Sequence, residues 1–336
     1  MAYAGARGTT EKQMRAVLHF TLEQKTLHET FAKLIETQKK LSSDKCTLHI
    51  ANALWGQEGY RFLEEFLALT GKYGAGLQRV NFQNSEEARK TINAWVEEQT
   101  RQKIKDLIPQ GGITGDTRLV LTNAIYFKGD WLHKFDKADT KEEAFRVSAR
   151  KTVQVPMMWA GGLRLKYIDG GTFSAVELPY RGEDLSMVIF LPKEIDGLPD
   201  FEKNLTGENL QRWLSDMRQE EIGPLAIPRF KIDSGSLTLK KVLEKMGMKD
   251  AFSRAADFSG MDGTKTLFIW DALHKAFVEV NEEGTEAAAA TAIVMKQKGV
   301  RPATRFVADH PFFFVIRENA TGSILFMGRL TEPAGK

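Results

Sequence analysis

The chain has 336 residues, 42% of them hydrophobic, and 47 Lys and Arg against 44 Asp and Glu, for a formal net charge of +3. That near balance gives no electrostatic footing for binding nucleic acid, and no apolar run is long enough to span a membrane. Cys46 is the only cysteine, so an intrachain disulfide is excluded and stability must come from packing. Length alone could hold two average domains, but no Pro/Ser-rich linker or shift in composition divides the chain, and one domain over residues 1–336 is expected.

In chain order, residues 11–20, 23–40, 60–72 and 85–108 carry apolar side chains at helical spacing. The last of these opens on Asn84, Ser85, Glu86 and Glu87, capping residues and early acids that suit a helix N-terminus, and stops at Pro109. Cys46 precedes an alternating strand through Leu48 and Ile50 to Trp55 and reads as a small core residue. Residues 117–128 form a long apolar, β-branched run that predicts a buried strand. Strands then dominate at 152–159, 163–168, 175–179, 185–191 and 224–232, with helices at 198–205, 208–217 and 237–246. Helices first and mostly antiparallel strands afterwards indicate an α+β domain.

The C-terminal third holds the most informative segment. Residues 268–280 end in the period-2 alternation of a half-buried strand, and 308–317 and 322–330 read as two buried strands joined by the polar turn 318–321. Between them lies a connection of roughly two dozen residues, longer than ordinary loops. Its positions 284–292 hold only small side chains apart from Glu286. Such a run alone suits an exposed helix or a spacer. As a strand, it places Thr285, Ala287, Ala289 and Thr291 on one face and Glu286, Ala288 and Ala290 on the other. Every member of the first set is small and uncharged, which fits burial of that face.

With these residues in place, the chain resembles the serpin family. The run Glu282-Glu283-Gly284-Thr285-Glu286-Ala287-Ala288-Ala289-Ala290-Thr291 is similar to the proximal hinge of an inhibitory serpin's reactive loop. Asp309-His310-Pro311-Phe312-Phe313-Phe314 with 322–330 resembles the family's C-terminal strands, and Thr122-Asn123-Ala124-Ile125-Tyr126-Phe127-Lys128-Gly129-Asp130-Trp131 its breach motif. The resemblance implies an α+β serpin-like single domain with three mainly antiparallel sheets, about eight helices and an exposed reactive-centre loop at about 282–307. It also implies an N-terminal truncation, since the first helix, one strand and the start of the second helix have no counterpart.

The implied activity is that of a suicide-substrate inhibitor of a serine endopeptidase, trapped as the acyl-enzyme when the cleaved loop enters the central sheet. Counting from the hinge puts the reactive bond at Lys298–Gly299, which suits a trypsin-like protease; Lys296 and Val300 stay open as alternatives. His274 and Asn123 resemble the shutter pair that holds the central strands together, and Trp131 the breach tryptophan. Lys25, Lys33, Lys39 and Lys40 stand where some serpins bind a heparin-like polyanion, though Glu29 and Glu36 interrupt them as on any solvated helix face. The resemblance further implies an extracellular monomer whose partner is its target protease, with no cofactor, metal, nucleic acid or membrane. The alternative is a non-inhibitory serpin serving as a carrier or chaperone. Catalysis finds no support, because no nucleophile elbow, zinc-binding helix or other catalytic spacing is present.

Overall fold

The structure is a computed structural model that describes residues 1–41, 46–74, 76–285 and 303–333. Its helices are α1 (Gly8–Val17), α2 (Gln24–Lys40), α3 (Glu64–Gly71), α4 (Ser85–Gln99), α5 (Leu198–Lys203), α6 (Gly207–Asp216), α7 (Lys240–Met246) and α8 (Ser259–Asp262). The strands are β1 (Cys46–Gln57), β2 (Leu77–Val80), β3 (Leu119–Asp130), β4 (Lys141–Ser148), β5 (Lys151–Ala160), β6 (Leu163–Asp169), β7 (Phe173–Pro179) and β8 (Leu185–Pro192). They continue with β9 (Arg218–Pro228), β10 (Phe230–Asp233), β11 (Leu237–Thr238), β12 (Asp271–Asn281), β13 (Gly284–Thr285), β14 (Thr304–Val307), β15 (Phe312–Glu318) and β16 (Ile324–Leu330). The content is that of an α+β fold.

The chain divides into two compact units, one of Met1–Ser42, Leu48–Phe127 and Ile232–Phe277, the other of Ser43–Thr47, Lys128–Lys231 and Val278–Lys336. In the first, Phe62, Phe66, Met248, Phe252, Phe258 and Met261 are among the residues of one core cluster. A second cluster gathers Trp55, Phe82, Ile92, Val96, Ile104 and Phe277. Helix α4 buries Ala88, Ile92, Asn93 and Val96 on one stripe, the burial that helical spacing predicts. It ends at Gln99 rather than running to residue 108, because Arg101 and Gln102 take positive φ angles and the Thr100 hydroxyl accepts from Ile104 N at 3.2 Å. The following segment is fixed instead by Asn93, whose side chain donates to and accepts from the Ile108 backbone.

In the second unit, β8 is buried at all eight positions, since β7 and β15 flank it in the sheet and apolar residues cover it. Phe173, Phe190, Phe201 and Phe313 close the core there. Where three sheets are expected, the described strands form two hydrogen-bonded networks. The reason is β9, which pairs with β6 along its first half and with β5 along its second, so that it joins two layers into a nine-stranded sheet. The other network has seven strands, with β12, β13 and β3 adjacent in its order.

Candidate functional site

Of the residues that the resemblance implies as a hinge, Glu282, Glu283, Gly284 and Thr285 gather at β13. This two-residue strand is paired antiparallel on both sides: with β12 through Val280↔Thr285 and Asn281↔Gly284, and with β3 through Gly284↔Asp130 and Thr285↔Gly129. A strand can be flanked this way only if its backbone fits between its neighbours, and Gly284 supplies the fit. It sits at φ +149°, and a Cβ there would lie 2.0 Å from Gly129 O and 2.7 Å from Asp130 Cα. Only glycine permits that approach.

The chain around β13 is fixed at each residue. Trp131 N donates to Glu283 O at 2.8 Å and Phe135 N to Glu282 O at 2.9 Å, while the Trp131 indole donates to Asn281 O at 3.0 Å. Thr285 is fully buried, and its hydroxyl lies 2.9 Å from that of Tyr180. Tyr180 in turn stacks on Trp131 with ring centroids 4.6 Å apart. Burial pushes the Tyr180 phenol well above its ordinary pKa, so it stays protonated and can donate.

Both hinge glutamates are almost fully buried, an unusual place for carboxylates unless they are paired. Glu282 bonds Arg229 and accepts from the Thr140 hydroxyl at 2.7 Å; Glu283 meets Lys134 at 2.7 Å and Lys137 at 3.2 Å. Burial opposes ionisation at both, but these partners outweigh it and hold each pKa below the usual carboxylate value. Two charged side chains thus clamp the chain immediately before the small-residue run.

Beyond β13 the two flanking strands pair with each other. β12 and β3 run parallel and in register from Asp271↔Val120 to Phe277↔Tyr126, with no strand between them. Across this seam His274 stands opposite Asn123, and its Nδ1 lies 2.5 Å from Asn123 Oδ1. Asn123 donates its amide onward to Asn52 on β1. Burial lowers the pKa of His274, keeping it neutral in the role of a strand tie.

The structure therefore brings Glu282, Glu283, Gly284 and Thr285 together with Trp131, and Asn123 together with His274. Glu286, Ala287, Ala288, Ala289, Ala290 and Thr291 lie outside the described residues, as do Lys296, Lys298, Gly299 and Val300. On α2, Lys25, Lys33 and Lys40 are exposed, as are Glu29 and Glu36, and the Lys39 side chain lies outside the description. Tyr180, Arg229, Lys134, Lys137 and Thr140 escaped the sequence reading. Each contacts the hinge from far along the chain, and no local motif marks such a partner.

This arrangement of a glycine-led strand end entering between two sheet strands accompanies a family match over residues 1–333, to the model described as "Serpin (serine protease inhibitor)". The chain is a serpin. It is 44% identical to human "Serpin B3", over 99% of this chain and 90% of that protein, and 45% identical to the "Leukocyte elastase inhibitor" of Bos taurus, over 99% and 89%. Among solved structures, "Serpin48" of the insect Tenebrio molitor superposes with a TM-score of 0.88 at 36% identity, covering 99% of this chain and 88% of that one. The serpin thus belongs to a family of serine protease inhibitors, and inhibitors of proteases are among its relatives.

Proposed function

We propose that this serpin inhibits a trypsin-like serine endopeptidase by trapping the acyl-enzyme. The observation that carries the reading is β13: Gly284 and Thr285 already lie between β3 and β12, as the first rung of a strand that can lengthen. The protease serine attacks the Lys298 carbonyl, forms an ester to it, and releases the Gly299 amine on the new C-terminal fragment. The freed residues after Thr285 then extend β13 along β3 and β12, parting the seam at His274 and Asn123.

The register supports this path. Thr285 points into the protein, so Ala287, Ala289 and Thr291 would follow on the same face, all small enough to bury without charge. From Gly284 to Lys298 an extended strand spans roughly 46 Å, which carries the bound protease the length of the sheet. New ladder hydrogen bonds at about 1 kcal/mol net each would make the inserted state the more stable one.

A second reading rests on Val300 and on the relatives named as leukocyte elastase inhibitors. A bond after Val300 would suit a protease with a small apolar specificity pocket. Incubation with trypsin and, separately, with elastase distinguishes the two. The first reading expects an SDS-stable complex with trypsin and release of a C-terminal peptide beginning at Gly299. A complex with elastase alone, with a peptide beginning at Arg301, would transfer the specificity to the second; cleavage by both without any stable complex would remove the inhibitory reading and favour a carrier or chaperone.

A further inference from the structure

Two triplets of the sequence fit Asn-x-Ser/Thr, Asn204-Leu205-Thr206 and Asn319-Ala320-Thr321, and neither has proline in the middle. That pattern marks an acceptor for N-linked glycan in chains that enter the secretory route. Both triplets lie in the second unit, and the fold treats them differently. Asn204 caps the C-terminus of α5, in the short turn before α6, and is exposed, as is Thr206. Its Nδ2 donates one hydrogen to Asp200 O at 2.9 Å, and the other has no acceptor among the described residues.

At Asn319 both Nδ2 hydrogens are committed, one to Glu183 O at 2.7 Å and the other to Ser186 Oγ at 2.9 Å. The Ser186 hydroxyl gives its own proton to Glu177 Oε1, so it has to accept from Asn319. A primary amide has two N–H donors; once glycosylated it keeps one, and the sugar stands where the second hydrogen was. On Asn319 the sugar would have to displace Glu183 O or Ser186 Oγ and leave that bond unmade. On Asn204 the remaining N–H still serves Asp200 O, and the sugar extends into solvent.

We propose that Asn204 carries an N-linked glycan and that Asn319, in the folded protein, does not. In the transfer, Nδ2 bonds the anomeric carbon of an oligosaccharide carried on a lipid diphosphate, and the bond from that carbon to the diphosphate oxygen breaks. One Nδ2 proton passes to a base of the transferase, and the lipid diphosphate leaves as the anion. The side chains described at the hinge, those of Trp131, Tyr180, Arg229, Lys134, Lys137 and Thr140, all lie outside α5 and α6. A sugar on Asn204 therefore meets none of the hinge contacts.

The test sends the full chain through the endoplasmic reticulum of cultured animal cells behind an added, cleavable signal peptide, and treats the soluble product with peptide N-glycosidase in heavy-oxygen water. Wherever a glycan stood, the asparagine becomes an aspartate bearing the heavy oxygen, and mass spectrometry of tryptic peptides locates it. The expected result is label at Asn204 alone, with a single-glycan step in gel mobility that the enzyme removes. That step should be lost in Asn204→Gln and kept in Thr206→Ser, which preserves the triplet. Label at Asn319, or at neither position, would overturn the assignment, and both readouts come from the unsubstituted chain however the variants fold. A mobility step retained in Asn204→Gln would overturn it as well.

Discussion

Gly284→Ala tests the hinge most sharply. The added Cβ would meet Gly129 O at 2.0 Å, Asp130 Cα at 2.7 Å and Trp131 N at 2.8 Å, all of them backbone atoms that no rotamer change can move. The backbone at φ +149° adds strain of about 1–3 kcal/mol for a residue with a side chain. The alternative is for β13 to leave its place, which forfeits its ladder bonds to β3 and β12 at about 1 kcal/mol each. Either way the loss is about 3 kcal/mol, which for 336 residues corresponds to a fall in melting temperature of about 4 °C. An expelled hinge must also be recaptured before the loop can insert, so more inhibitor is cleaved as plain substrate for each protease trapped. The assay is the melting temperature of the intact protein together with the stoichiometry of trypsin inhibition. If the variant melts within 1 °C of the wild type and traps trypsin at the same ratio, the argument from the β13 fit is wrong.

Three other outcomes are expected. Thr285→Arg places a cation at a fully buried position beside Tyr180, at a cost of several kcal/mol without a partner, and turns the serpin into a plain substrate, seen as cleavage without SDS-stable complex. Lys298→Ala removes the proposed bait and abolishes the trypsin complex, whereas a retained complex that releases a peptide beginning at Gln297 or Arg301 would shift the bond to Lys296 or Val300. His28 and His274 are held neutral by burial, with folded pKa values below the unfolded value of about 6.5. The unfolded chain therefore binds the extra protons, and the stability these histidines contribute is lost as pH falls from about 6.5 toward the His28 value of about 4. Urea midpoints at pH 7 and pH 5 check this: the lower pH should give the lower midpoint, and His28→Gln should narrow the difference.

Much of this was legible in the sequence, because its signals are local. The small-residue run and the apolar strands 185–191 and 308–317 can each be read from a few neighbouring residues, whereas Asn123 and His274 are linked only through the family resemblance; β3 and β12 place those two opposite one another. The partners of the hinge could not be read. Arg229 and Glu282 are 53 residues apart, and Lys134 and Glu283 are 149 apart, so only the fold makes either pair. Strand β4 was missed because its opening Lys141, Glu142 and Glu143 look like loop; among the described strands it is the edge of its sheet, paired with β5, where such charges sit at little cost. Helix α4 was read too long because apolar residues at 104, 107 and 108 continue its spacing, although the backbone turns away at Arg101.

The most telling measurement is the difference in melting temperature between the intact serpin and the same protein nicked once in its loop. If β13 lengthens into the seam after cleavage, a dozen added ladder bonds at about 1 kcal/mol each should raise the melting temperature of the nicked form by about 15 °C over the intact form. Equal melting temperatures would contradict insertion and leave β13 as the fixed end of an ordinary loop.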